Sequence, residues 1–120
     1  METLDVTKII NQDAQELENT MKSVFETLLS MTDEEKFNNL KNLIMEVAKS
    51  ATDDQYLKLC KVNLKLASSL DKETLKAFLK IRMSVSGALP QELAQKDSTL
   101  LKRALDESDE SVKQKIQAAM

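Results

Sequence analysis

Histidine and tryptophan are absent from this chain of 120 residues, and glycine, proline and cysteine each occur once. Each scarcity removes a class of chemistry. Without histidine there is no imidazole base, no His-containing triad and no ferritin-like di-metal site, which needs Glu-x-x-His. The one glycine, Gly87, cannot build a Gly-rich phosphate loop. Cys60 has no partner for an internal disulfide, which fits a reducing compartment, and such a lone thiol reads as a small buried hydrophobe. The longest apolar runs are three or four residues, far short of the ~20 that a membrane span needs. The opening Met-Glu-Thr-Leu-Asp has neither the basic region nor the apolar core of a secretory signal. The expectation is a cytoplasmic protein with no membrane span, cofactor or metal site, and not an enzyme. Lysine and carboxylate chemistry, which has no fixed spacing, stays open.

What is abundant is helix-compatible: Leu, Lys, Ala, Glu, Met and Gln, with Ser, Thr and Asp where caps are needed. At this length one core is expected, with roughly two-thirds of the chain's surface buried on folding. The fold class is all-α, in a single helical domain over 1–120. It divides into a long N-terminal helix (1–31), helical repeats (32–107) and a short C-terminal helix (108–120).

From Leu4 to Met31, Ile10, Ala14, Leu17, Met21, Val24, Leu28 and Met31 recur at alternating steps of three and four. Phe25 and Leu29 widen this stripe, and the spacing predicts one helix of about 25 residues. Such a helix either lies across its own domain or pairs with a second copy through Ile10, Leu17, Met21, Val24 and Leu28. Thr32-Asp33-Glu34-Glu35 and Thr52-Asp53-Asp54-Gln55 are capping boxes, and Asp71 is an N-cap with Leu70 and Leu75 placed for a hydrophobic staple. Pro90 suits a first helical position. Ser108, ahead of Asp109 and Glu110, caps a last short helix.

The stretch from Thr52 to Leu89 holds two copies of one pattern nineteen residues apart: Lys61 maps onto Lys80, Val62 onto Ile81, Leu64 onto Met83, Leu66 onto Val85 and Leu70 onto Leu89. A unit of that length leaves about fifteen residues of helix and a short connection, so successive helices are expected to run antiparallel in a compact array. A pair of units, about 38 residues, is close in length to tetratricopeptide and HEAT or armadillo repeats. The landmark residues of the tetratricopeptide pattern are missing, so no family is assigned. Val62, Leu64 and Leu66, like Ile81, Met83 and Val85, also alternate with a period of two. Over the whole segment the helical wheel accounts for more, with Tyr56, Leu59, Cys60, Leu66 and Ala67 on one side and Lys58, Lys61 and Lys65 on the other. Leu64 and Met83 are then expected to widen the buried arc.

The same wheel turns polar residues inward. Asn63 and Arg82 are repeat-equivalent and point to the middle of their apolar arcs, with Ser86 one turn after Arg82 and Tyr56 two turns before Asn63. Asp97 takes the position that Leu40, Leu59 and Phe78 fill in other units. Asn63, Arg82 and Asp97 are therefore candidates to meet. They could form a polar pocket in which Arg82 holds an anionic ligand or a partner's carboxylate. They could form an internal network in which Asp97 neutralises Arg82 and Asn63 caps a backbone group. In a third arrangement Arg82 reaches outward and Asp97 caps a new turn at Ser98-Thr99.

Charge is uneven: residues 1–57 carry a net −7, 58–82 a net +5 and 83–120 a net −1. Lys58, Lys61 and Lys65 form one stripe in the basic segment, and Lys72, Lys76 and Lys80 form another, a candidate anion-binding face for nucleic acid. Tyr56 and Phe78 are predicted inward, so the segment has no stacking platform. Clustered acids at 33–35, 53–54, 106–107 and 109–110 lack the spacing of a calcium loop and fit the first turns of helices. The functional expectation is a non-catalytic, self-associating protein–protein interaction module. A regulator that binds nucleic acid or anions through Lys58–Arg82 is the alternative.

Overall fold

Side chains that accept from free backbone N–H groups, those of Asp13, Thr32, Thr52 and Asp71, set four of the helix starts in the computed structural model, which describes residues 6–120. Seven helices result: α1 (Val6–Ile10), α2 (Ala14–Leu29), α3 (Asp33–Ser50), α4 (Asp53–Ser68), α5 (Lys72–Ala88), α6 (Gln91–Glu107) and α7 (Glu110–Ala119). No strand occurs among the described residues, so both period-two stretches lie in helix. Both expected capping boxes form, Thr32 with Glu35 and Thr52 with Gln55, and Asp71 accepts from Thr74 N at 3.1 Å.

Three local expectations need correction. The N-terminal stretch is not one helix of about 25 residues, because it breaks at Asn11–Asp13; its expected start at Leu4 lies outside the described residues. Asp13 takes an extended conformation and accepts from Glu16 N at 2.8 Å, starting α2 afresh. Its heptad spacing concealed a cap, since Asp13 and Glu16 stand in the spacing of a helix start. Secondly, Ser108 does not cap the last helix. Asp109 holds the N-cap position with no side-chain cap bond, and the Ser108 hydroxyl donates instead to Ala104 O at 2.6 Å. Thirdly, Pro90 is the N-cap of α6 and Gln91 its first residue.

Helix starts fall at regular intervals, with N-caps at Thr32, Thr52, Asp71, Pro90 and Asp109. In space, the most extensive contacts join alternate helices: α4 with α6, α2 with α4, and α3 with α5. The expected pairing of successive helices gives way to this, and the chain packs back on itself one helix later. The result measures 31 × 31 × 30 Å.

The apolar stripe of α2 is consumed by this packing. Ile10, Leu17, Met21, Val24 and Leu28 are all buried against the chain's own helices, Leu17 at 0 % exposure, so the expected seam for a second copy is internal here. Phe25 packs on Phe78 of α5 with ring centroids 5.0 Å apart. Lys96 of α6 ties in α3 by donating to Ala48 O and Ala51 O at 3.0 and 3.3 Å, where a helix C-terminus leaves carbonyls without partners.

Core packing outweighs capping in holding α2. In urea denaturation, Leu17→Ala is expected to lower stability by about 2–5 kcal/mol, and Asp13→Ala by about 1 kcal/mol. Equal losses from the two substitutions would contradict this account.

Candidate functional site

Asp97 sits in the middle of an unbroken α6, facing α4 and α5, and is 0 % exposed. A buried carboxylate must be paired and hydrogen-bonded to be tolerated. Arg82, on α5, supplies both: Nη2 donates to Oδ1 at 2.6 Å and Nη1 to Oδ2 at 3.0 Å, the two-pronged match of guanidinium and carboxylate. Arg82 Nη1 also donates to Ser86 Oγ at 3.0 Å, one helical turn away. The Ser86 hydroxyl donates to Asp97 Oδ2, and the Tyr56 hydroxyl, from α4, donates to Asp97 Oδ1. Each carboxylate oxygen thus accepts two bonds, Oδ1 from α4 and α5 and Oδ2 from two residues of α5.

The titration of these groups follows from that geometry. Burial alone would raise the Asp97 carboxyl, but Arg82, with the Ser86 and Tyr56 hydroxyls, outweighs it and holds the group below its ordinary value. Burial pushes the Tyr56 phenol well above its ordinary value, and the Asp97 charge adds to the effect. Cys60, beside them on α4, is pushed up to about 12 chiefly by burial, so its thiol stays protonated and inert near neutral pH.

Of the three inward polar residues, the structure brings Arg82 and Asp97 together and leaves Asn63 apart. Asn63 caps no backbone group, and its Oδ1 is buried without a hydrogen-bond partner. Both terminal nitrogens of Arg82 donate to Asp97, and Nη1 also to Ser86, so its charge is answered within the chain. Nor does Asp97 cap a new turn at Ser98-Thr99, since α6 runs through to Glu107.

Beside this network lies a cavity of about 380 Å³ bounded by α2, α3, α4, α5, α6 and α7. Its walls are largely apolar, with Phe25, Leu28, Ile44, Leu59 and Phe78 among them, and Asn63, Arg82, Ser86 and Tyr56 add polar atoms. Met83, Ser98, Lys102 and Met120 line it as exposed residues and mark its mouth. Met83, expected on the buried arc like Leu64, is 45 % exposed because it stands at that opening, whereas Leu64 is buried. A leucine and a methionine set in similar local patterns carry no signal for this difference.

The expected lysine face divides. Lys58 Nζ donates to Gln12 O at 2.6 Å, Lys61 pairs with Glu107 at 2.7 Å and Lys65 with Glu18 at 3.1 Å, so acids and carbonyls of the same chain answer this stripe. Lys72, Lys76 and Lys80 are exposed on α5. No described helix is long and apolar enough to cross a membrane. No family model, curated protein or solved structure matches the chain.

Arg82→Ala is expected to cost about 3–5 kcal/mol in urea denaturation, because it leaves a buried carboxylate unpaired. The pH dependence has a definite sign. Folded Asp97 titrates below the unfolded value of about 3.9, so its contribution is complete above that pH and is lost as pH falls through the folded value. Between pH 6 and pH 3 the wild type should therefore lose more stability than Asp97→Asn does; parallel curves would refute the assignment.

Proposed function

We propose that this protein is a non-catalytic binding module whose working site is the cavity between α2 and α7, and that its guest is a small, largely apolar molecule. The observation that carries this reading is the cavity itself. Protein interiors are packed to the density of organic crystals, with few spaces larger than a water, whereas small-molecule sites are mostly apolar spaces of roughly 300–1,000 Å³ with a few placed polar groups. This cavity, at about 380 Å³ with an exposed mouth, falls in the second class. Burial of apolar surface drives entry, at about 25 cal/mol per Å² removed from water. Asp97 cancels the charge of Arg82 on the inner wall, leaving Lys102 at the mouth as the one uncancelled charge of the lining, which favours a neutral guest inside. Nothing in the reading calls for a reacting group, and Cys60, the sole thiol, is inert.

A second reading, self-association, is supported by Met83 and Met120, the two large apolar side chains that stand exposed among the described residues. It would use the mouth of the cavity rather than the buried stripe of α2. Sedimentation of the wild type against Met83→Lys tests it, with loss of association in the variant as the supporting result.

Titration with the apolar fluorophore 1-aminoanthracene tests the cavity reading. One saturable site per chain is expected, weakened at least about tenfold by Ala67→Leu, which adds bulk at a cavity wall. Absence of saturable binding, or unchanged binding by a folded Ala67→Leu protein, would reject it.

A further inference from the structure

The mouth of the cavity is chemically mixed. Met83 and Met120 give it apolar surface, while Ser98 and Lys102, four residues apart on α6, stand one helical turn from each other. All four are exposed, so they are within reach of a molecule that enters from solvent. Other cations of the chain are answered internally: Lys58, Lys61, Lys65 and Lys96 by oxygens of other helices or connections, and Arg103, next to Lys102, by Glu107. Lys102 is not. Among the described residues neither its ammonium nor the Ser98 hydroxyl has a partner, and no carboxylate lines the cavity.

We infer that the guest is an anionic amphiphile, a straight-chain carboxylate of the fatty-acid type, with its hydrocarbon chain in the cavity and its head at the mouth on Lys102 and Ser98. This rests on the cavity reading above and adds the head group that the guest bears. A carboxylate only accepts, and the lysine ammonium and serine hydroxyl both donate. Its one charge matches the one lysine, whereas a phosphate monoester brings about −1.5 to −2. The head stays at the mouth because Asp97 already cancels Arg82 on the inner wall, so an anion carried inside would lose its water without meeting an unanswered cation. Volume bounds the chain. A cavity of about 150 Å³ holds benzene, so the space of about 380 Å³ here takes roughly fifteen carbons at most.

Decanoate, 1-decanol and decyltrimethylammonium share one chain and differ in the charge of the head. Each is titrated calorimetrically into the full chain at pH 7 and low salt, below its micelle concentration. The wild type is expected to bind one decanoate per chain, at least about fivefold more tightly than the cation. Lys102→Glu exchanges an attraction for a repulsion and should weaken decanoate about tenfold while changing decanol less than about twofold. Lys76→Glu makes the same charge change at an exposed site away from the cavity and should leave decanoate within about twofold of wild type. The inference is overturned if the cation binds as tightly as decanoate, if Lys102→Glu keeps its decanoate affinity, or if Lys76→Glu loses as much. Binding of decanol or 1-aminoanthracene without decanoate overturns it too and leaves the cavity reading standing. If neither the three chains nor 1-aminoanthracene binds, the cavity reading falls and the inference with it. The wild-type order of the three ligands decides the matter even if a variant fails to fold.

Discussion

A carboxylate with no access to solvent constrains the middle of this protein. Asp97 is carried inward by the same helical phase that elsewhere delivers leucine or phenylalanine, and once there its charge must be answered. Arg82 answers it from α5, Ser86 adds a hydroxyl from the next turn, and Tyr56 adds another from α4. These bonds reach across three helices, α4, α5 and α6. They fix the rotation of α5 and α6 about their axes, because a bidentate guanidinium–carboxylate contact tolerates little displacement. A buried ion pair is weak ground for stability in itself, since desolvation offsets much of the attraction. Here its clearest consequence is positional: it holds a neutral polar wall beside an apolar cavity.

Asn63 and Arg82, nineteen residues apart in sequence, illustrate how differently inward polar residues can be accommodated. Arg82 has a partner on the following helix, and the pair closes its hydrogen-bonding needs internally. Asn63 has none for its carbonyl oxygen. Helices of a bundle pack by interdigitating apolar ridges, and a cavity forms where neighbouring side chains do not meet. Around Phe25, Leu59 and Phe78 the walls come from six helices and leave such a space. Burial also explains why Cys60, on the same wall, brings no thiol reactivity.

Much of the helical framework was legible because caps are local chemistry. Thr32, Thr52 and Asp71 start their helices through side-chain bonds to backbone three residues ahead, and sequence displays all three. The break at Asp13 had a comparable signal, a cap residue followed by Glu16, but the heptad stripe running through it spoke for continuity. Both signals were genuine: the apolar positions on either side of the break face the same core. Met83 failed for another reason. Its local pattern resembles that of Leu64, and only the arrangement of helices around it decides that one is covered and the other stands at an opening. The pairing of the lysines with Gln12, Glu18 and Glu107 was likewise invisible, since those partners lie more than forty residues away in sequence.

By itself, then, the sequence determined that the chain is all helical, where most helices begin, which stripe of each turns inward, and that Asn63, Arg82 and Asp97 ride on those inward stripes. These properties follow from dihedral preference, capping and a period of 3.6 residues, all of which act over a few neighbouring positions. Tertiary structure alone decided that alternate helices pack together, that Arg82 finds Asp97 while Asn63 finds no one, and that a cavity opens beside them. Those outcomes depend on which side chains, distant along the chain, arrive at the same place. Local periodicity can aim a residue at the core; it cannot say what will be waiting there.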